Sequence, residues 1–376
     1  MTISLQDQRI NLALSFISGS GSITTEQSEP TLVAENIKES LENSIITANR
    51  FSIVWGPAVF RIDNRKNAKD NKDDHVLFIV KNRRFPYDYR IVIRGSWSDV
   101  NWQIENFAVH ETVNWSLWDT NIPEDFKDAK ISYGTHLALD YIVNQAKSNN
   151  TPGYGESLID AIDKISQEKG IHNITITGHS LGGVLASTLG LYLKRLYLNK
   201  GKNHIRINVC AFASPITGNN VFSSYIKSIF NSISTKSYKS HFLRVHNRKD
   251  IISLIWHLDG LEQIPTIYEP LIKIDKELMN KFQKIVLIVK DKNYTKLIPD
   301  LPFTAPLLES LPDLNNQVVF QHIKAYANQY GMNLVEVNDG TKPPIDDIVV
   351  INGNLSQDII AYLSRIPLPG DDTNIA

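Results

Sequence analysis

Cysteine is nearly absent from this chain of 376 residues, and neither sign of charge is in clear excess. The one thiol, Cys210, permits no internal disulfide, which fits a reducing compartment without excluding export. The formal net charge of −1 gives no global electrostatic reason to expect nucleic acid as a partner. Nucleic-acid binding is therefore not predicted.

Long apolar runs are lacking as well. No stretch approaches the ~20 apolar residues that a membrane-spanning helix requires. Residues 1–9 lack the basic region and the apolar core of a secretory signal. We therefore expect a soluble protein that is cytoplasmic as synthesised. Export by a route that needs no cleavable signal stays open.

The most informative segment that is present is Gly178–Gly182, which has the pattern G-x-S-x-G. The alternating run 173–177 precedes it and a helix-like run, 184–189, follows it, so the pattern lies between a strand and a helix. Such a turn is so tight that only glycine fits at its two ends. It would expose the Ser180 hydroxyl and direct the Leu181 N–H at a developing oxyanion. Ser180 is the predicted nucleophile.

A serine nucleophile needs a base to remove its proton and a carboxylate to orient that base. In enzymes with this turn the chain order is serine, acid, histidine. Asp250 is the first acidic residue after Ser180, and it follows the strand-like run 241–246. Two histidines, His257 and His322, lie further downstream. His257 is in the same loop as Asp250 and is interpreted as a packing or lid residue. His322 lies where an apolar run gives way to a helix start. We predict Asp250 as the acid and His322 as the base, with His257 as the alternative base.

A second donor to the oxyanion is expected in the loop after an earlier strand. Residues 88–94 read as that strand, and Gly95-Ser96 as its exit. A hydroxyl residue at this point can offer both its N–H and its Oγ to one oxygen. Ser96 and Leu181 are therefore the predicted oxyanion residues.

Five motifs occur in one order along the chain, which is stronger evidence than any of them alone. Together they resemble the class 3 lipase family, which contains fungal triacylglycerol lipases and plant phospholipases A1. The matching segments are IRGSWSDVNW (93–102), SYG (132–134), TGHSLGG (177–183), FASPITGN (212–219) and VHNRKDII (245–252). Two departures are Tyr133, where the family has histidine, and Ser253, where it has proline.

The resemblance implies an α/β-hydrolase fold, with a mostly parallel central sheet flanked by helices. It also implies a triad of Ser180, Asp250 and His322, with Ser96 in the oxyanion site and lipid or ester hydrolysis as the activity. The alternation of helices and strands from about residue 132 onward agrees with a mostly parallel sheet. We expect a helical extension over 1–50, a hydrolase domain over 51–366 with an insertion at 258–317, and a loose tail over 367–376.

Aromatic residues cluster directly after the predicted oxyanion turn. In the related fungal lipases this segment is a lid, and indole rings suit a lipid–water boundary. The alternative is that these rings belong to the core, where most aromatic side chains are buried. The candidate lid or substrate residues are Trp97, Trp102, Phe107, Trp115 and Trp118.

Basic residues are concentrated between Leu181 and Lys249, a segment with eleven Lys and Arg side chains and no acidic residue. They are interpreted as scattered solvated surface, or alternatively as a positive rim that attracts anionic phospholipid headgroups. The second interpretation implies peripheral membrane contact; the sequence leaves any protein partner unknown.

The sequence thus predicts a serine-dependent lipid acyl-ester hydrolase, a lipase or phospholipase A-type enzyme acting on lipid at an interface. No metal or organic cofactor is required for this chemistry. The alternatives are a general carboxylesterase and a catalytically silent lipase-like module that binds protein.

Overall fold

The computed structural model describes residues 3–21, 29–61, 74–98, 101, 105–106, 108–231, 240–337, 349–352 and 359–364. The helices are α1 (Leu5–Ile17), α2 (Pro30–Asn43), α3 (Tyr133–Asp140), α4 (Leu158–Ile165), α5 (Leu181–Asn199), α6 (Asn220–Asn231), α7 (Ile251–Leu254), α8 (Leu258–Gln263), α9 (Lys276–Val289), α10 (Leu314–Val319), α11 (Ala325–Gln329) and α12 (Ile359–Ser364). The strands are β1 (Phe51–Phe60), β2 (His75–Asn82), β3 (Asp88–Ile93), β4 (Thr112–Asn114), β5 (Lys130–Ser132), β6 (His172–His179), β7 (Ile205–Phe212), β8 (Phe242–Asn247), β9 (Asp300–Phe303), β10 (Leu334–Val337) and β11 (Val349–Asn352).

Within the described residues, the main sheet has seven strands in the order β1-β2-β3-β6-β7-β8-β9. The pairs β1–β2 and β2–β3 are antiparallel, and every pair from β3 to β9 is parallel. The mostly parallel sheet that the alternation of elements predicts is therefore present. The parallel strands all end at one edge of the sheet, which is where α/β proteins carry their reactive groups.

Side chains of the central strands alternate between two hydrophobic clusters, one on each face of the sheet. Val92, Cys210 and Phe212 enter the cluster that includes α1 and α2. Ile91 and Ala211 enter the opposite cluster, which includes α5. Because both faces are covered by helices, these strands are apolar over most of their length.

Helix α1 is buried on nearly all sides and packs against the sheet. Leu12, Ala13 and Leu14 have no exposed surface, and the Ser15 hydroxyl lies 3.1 Å from the Thr177 hydroxyl of β6. The segment expected as an extension over 1–50 thus supplies part of the main core. The insertion over 258–317 likewise supplies β9, the last strand of the sheet.

Several elements differ in detail from the sequence expectations. The apolar runs 51–55 and 58–62 predict two strands, but they form the single strand β1, whose pairing register shifts between Trp55 and Ala58, where Gly56 adopts a positive φ of 84°. Apolar spacing predicts a helix over 34–49, whereas α2 begins at Pro30, since proline is favoured in a first helical turn. The charged residues 65–74 predict a solvated loop; of these the structure describes Asp74, which is buried, and the tail expected at 367–376 lies outside the described residues.

Candidate active site

The turn at Ser180 joins β6 to α5 with a backbone that few residues adopt. Ser180 has φ 59° and ψ −128°, and its N–H donates to the Phe212 carbonyl of the neighbouring strand at 2.9 Å. A non-glycine residue with positive φ is strained, and such strain is concentrated at functional sites. The structure therefore places Ser180 at the corner between strand and helix that the sequence predicts, but the residue is only 6% exposed, whereas an exposed hydroxyl was expected.

Glycine is required at this corner because the backbone segments nearly touch. A Cβ on Gly178 would lie 2.3 Å from the Gly182 carbonyl carbon, and one on Gly182 would lie 2.3 Å from the Ile93 carbonyl oxygen. A Cβ on Gly95 would lie 2.8 Å from the His179 carbonyl oxygen and 3.3 Å from the Ser180 Cβ. The exit of β3 therefore lies directly against Ser180, and Ser96 follows at that point.

The carboxylate of Asp250 is fully buried beyond the end of β8. It accepts a hydrogen bond from the Ile252 N–H at 3.0 Å and another from the Tyr326 hydroxyl at 2.8 Å. His322 Nδ1 lies 3.0 Å from each of its two oxygens. The structure thus brings together the acid and the base that the sequence predicts.

His322 does not stand at a helix start, as the sequence suggested, but inside a longer helical segment. It lies in the π-helical turn Phe320–Lys324, which joins α10 to α11. A π turn inserts one extra residue into a helix and often occurs at functional sites. When Nδ1 donates to Asp250, the neutral ring keeps Nε2 as its acceptor nitrogen, which is the form a general base needs.

The alternative base, His257, is not in contact with Asp250 in the structure. It precedes α8, and its Nε2 is 4.0 Å from Asp259. Its Nδ1 has no hydrogen-bond partner among the described residues, and burial lowers its pKa. Among the described residues, the histidine in contact with Asp250 is thus His322, and the carboxylate nearest to His257 Nε2 is that of Asp259.

Two residues near His322 were missed in the sequence. Tyr326 is one helical turn further on; its hydroxyl donates to Asp250 and accepts from the Asn247 N–H at 2.9 Å. Burial, together with the nearby Asp250 charge, raises the pKa of Tyr326 well above its ordinary value, so it remains a donor. The signal available in the sequence was its spacing of four residues from His322.

His179 is the second missed residue, and it immediately precedes Ser180. Its Nε2 lies 2.7 Å from the His322 carbonyl oxygen, so this nitrogen must carry the proton. Burial, and then the nearby His322, lower the pKa of His179 well below 6.5. A neutral His179 therefore links the nucleophile turn to the backbone of His322.

Ser96 lies in a densely hydrogen-bonded loop. Its Oγ is 2.7 Å from Asn106 Nδ2. The next turn is held by Asn101, whose Oδ1 accepts from the N–H groups of Trp97 and Ser98. Asn101 is in turn bonded to the buried Glu105 at 2.7 Å. The loop carrying the predicted oxyanion residue is thus fixed by buried polar contacts.

The candidate lid aromatics occupy different places. Trp97 is 8% exposed, beside Ser96, and Trp115 is fully buried with its ring 5.0 Å from that of Phe222. Trp118 is half-buried, and its Nε1 donates to His136 Nδ1 at 3.1 Å. Trp115 and Trp118 thus pack in the α5-side cluster, which is what the core alternative expects. Trp102 and Phe107 lie outside the described residues.

Part of the basic segment is internal. Arg244 is fully buried and donates to the carbonyl oxygens of Ser214 and Ser253. Lys194 is also buried, donates to the Ser240 hydroxyl at 2.8 Å, and has its pKa lowered to about 8 by burial and by nearby Arg206. These two side chains hold the fold together and do not contribute to a surface rim.

None of the helices in the described residues is long and apolar enough to cross a membrane. In the same residues, no cluster of three or more His, Cys, Asp or Glu side chains is arranged to hold a metal ion.

The sheet order and the strand–Ser180–helix corner define an α/β-hydrolase. The structure of M37 lipase has the same fold, with a TM-score of 0.74 and 23% identity over 86% of this chain and 92% of that chain. A fungal lipase–inhibitor complex matches with a TM-score of 0.45 and 17% identity, covering 67% of this chain and 74% of that chain. The LIP2 lipase of Yarrowia lipolytica matches with a TM-score of 0.42 and 19% identity, covering 65% of this chain and 72% of that chain.

The family itself is identified from the sequence. The model described as Lipase (class 3) matches residues 91–258, a range that includes Ser96, Ser180 and Asp250. This segment belongs to the class 3 lipase family, as the five motifs suggested. The protein is therefore a carboxylic ester hydrolase of the kind that cleaves lipid esters.

Proposed function

We propose that the protein cleaves lipid acyl esters through an acyl-enzyme formed on Ser180, with His322 as general base and Asp250 as its orienting acid. The observation that carries this proposal is the contact of Asp250 with His322 Nδ1 at 3.0 Å. That contact fixes the tautomer in which Nε2 can accept a proton. The strained corner at Ser180 is the second support.

In the first half of the reaction, Ser180 Oγ attacks the ester carbonyl carbon as His322 Nε2 accepts its proton. The tetrahedral oxyanion receives hydrogen bonds from the Leu181 N–H and from Ser96. His322 then returns the proton to the leaving alcohol, and the C–O bond of the ester breaks. In the second half, water replaces Ser180 as the attacking group and the same proton transfers release the fatty acid.

The environment of His322 supports a base that becomes charged during turnover. The buried Asp250 carboxylate stabilises the imidazolium, and Tyr326 keeps that carboxylate hydrogen-bonded. His179, 4.6 Å away between ring centroids, is kept neutral by burial. A second positive charge at that distance would oppose protonation of His322, so a neutral His179 favours the reaction.

We further propose that the substrate is reached at a lipid–water interface, with Trp97 beside the reacting ester. Trp97 is the next residue after Ser96 and is the described aromatic nearest in sequence to the oxyanion loop. Activity on a long-chain ester should then rise when the substrate passes from monomers to micelles. Equal rates in both states would favour the general carboxylesterase.

The test of the proposed chemistry is turnover of a series of esters by wild type and by Ser180→Ala. The series comprises short and long p-nitrophenyl esters, triacylglycerol, phosphatidylcholine and phosphatidylglycerol. Ser180→Ala should lower kcat by roughly 10⁴-fold or more on every substrate that the wild type cleaves. Ser187→Ala, a buried serine on α5, is the matched control. A Ser180→Ala variant with near-normal turnover would overturn the assignment.

A further inference from the structure

The central strands carry polar side chains on one face near their N-terminal ends. Arg90 of β3, Thr175 of β6 and Asn208 of β7 stand in register across three adjacent strands. The row before them contains Asn173 and Arg206. Central parallel strands covered on both faces are normally apolar, so rows of this kind need a reason.

A cavity lies over these rows because α1 covers only part of the face. The C-terminal half of α1 packs near Thr177. Beside its N-terminal half, a space of about 620 Å³ remains over the polar rows. This volume falls within the range of roughly 300–1,000 Å³ that small-molecule sites occupy. At ~3.3 Å per strand residue, Asn173 lies about 23 Å along β6 from Ser180, so the cavity is separate from the candidate active site.

The cavity is lined by four arginines, Arg50, Arg84, Arg90 and Arg206. Two carboxylates also line it, and both face Arg90: Asp88 forms an ion pair with it and Asp7 lies at 3.6 Å. No described carboxylate forms an ion pair with Arg50 or Arg84. The lining therefore carries a net positive charge.

We infer that this cavity binds a small polar molecule that bears a phosphate group. Guanidinium groups match the geometry of phosphate oxygens and bind them through paired hydrogen bonds. Thr175, Asn173 and Asn208 add side chains that hydrogen-bond to hydroxyl groups. An acyl chain would leave these polar groups unsatisfied, so the occupant is not the fatty-acid part of a substrate. The phosphate belongs either to a soluble phosphate ester or to a lipid headgroup.

Calorimetric titration with glycerol 3-phosphate tests the inference on the full chain. The Ser180→Ala background removes turnover, so the result does not depend on the proposed chemistry. Saturable binding is expected, and Arg50→Gln or Arg84→Gln should each weaken it about tenfold, because one charge-assisted hydrogen bond is lost. The matched control is Arg83→Gln, which removes the same charge from the adjacent residue but lines a different cavity.

A second arm distinguishes the two sources of phosphate. Vesicles of phosphatidylcholine with and without phosphatidic acid are tested by co-sedimentation with the same variants. Binding of glycerol 3-phosphate indicates a soluble ligand, and binding only to phosphatidic acid vesicles indicates a headgroup; sensitivity to Arg50 and Arg84 in either arm supports the inference. Absence of saturable binding in both arms, or an equal loss in Arg83→Gln, would overturn it.

Discussion

At the scale of single residues, the hydrogen bonds around Asp250 determine how His322 is held. The carboxylate accepts from Ile252, Tyr326 and His322, so its oxygens are held from three directions. Such a network fixes the imidazole ring in one orientation without contact to the substrate. Tyr326 is therefore a positioning residue in this account.

Tyr326→Phe should lower kcat roughly 10- to 100-fold and leave KM nearly unchanged, because Asp250 loses one of the hydrogen bonds that hold it against His322, and a hydrogen bond to a charged group is worth about 1.5–3 kcal/mol. The acid limb of the pH–rate profile should also move to higher pH, since a carboxylate with one donor fewer stabilises the imidazolium more strongly. Steady-state kinetics over a pH series measure both effects. Tyr330→Phe is the control, because its hydroxyl bonds to the remote Gln8. A Tyr326→Phe profile that superimposes on that of wild type would remove Tyr326 from the site.

At the scale of elements, α1 is the least expected part of the architecture. An amphipathic helix at a chain terminus usually buries one stripe, whereas the residues from Ile10 to Ile17 are all buried. Helices α1 and α2 share the hydrophobic cluster on this face of the sheet, and the Phe16 ring is 5.2 Å from that of His179. Residues 10–17 therefore form part of the core on this face of the sheet.

Leu12→Ala should lower the free energy of unfolding by about 2–5 kcal/mol, the range for truncating a buried leucine. Leu5→Ala on the same helix makes the identical chemical change at a side chain that is 69% exposed, and should cost less than about 0.5 kcal/mol. Urea unfolding of both variants measures the difference. A similarly small decrease in the free energy of unfolding of both variants would mean that α1 is not part of the cooperative core.

Elements with a regular apolar pattern could be predicted from the sequence, and irregular ones could not. The runs 173–177, 181–198 and 205–212 predict β6, α5 and β7 with bounds close to those of the structure, since strong periodicity and the Ser180 motif mark them. Strand β9 was not predicted, because Pro302 lies within it; an edge strand tolerates proline where a central strand does not. The π turn at His322 was also missed, since one extra residue in a helix leaves no signal in apolar spacing.

At the scale of the whole molecule, the buried neutral His179 makes the free energy of unfolding depend on pH. The folded pKa of His179 is well below 6.5, through burial first and the neighbouring His322 second. Below 6.5 the unfolded chain therefore binds a proton that the folded chain does not. The free energy of unfolding is thus undiminished at neutral pH and decreases as the pH falls below that value.

His179→Gln should reduce this loss by up to ~1.4 kcal/mol per pH unit, because glutamine does not titrate yet can still donate to the His322 carbonyl. Urea unfolding at pH values on either side of 6.5 compares the slopes. His110→Gln is the control, since that side chain is 42% exposed. Equal slopes for wild type and His179→Gln would show that His179 is not a source of the acid sensitivity.

We propose that one serine, Ser180 at the corner between β6 and α5, forms the acyl-enzyme. The most direct test of this proposal is to label the protein with a fluorophosphonate, digest it and locate the modified residue by mass spectrometry. We expect a single adduct on Ser180, much slower labelling in His322→Ala, and no adduct in Ser180→Ala. An adduct on another serine, or undiminished labelling of Ser180→Ala, would contradict the proposal.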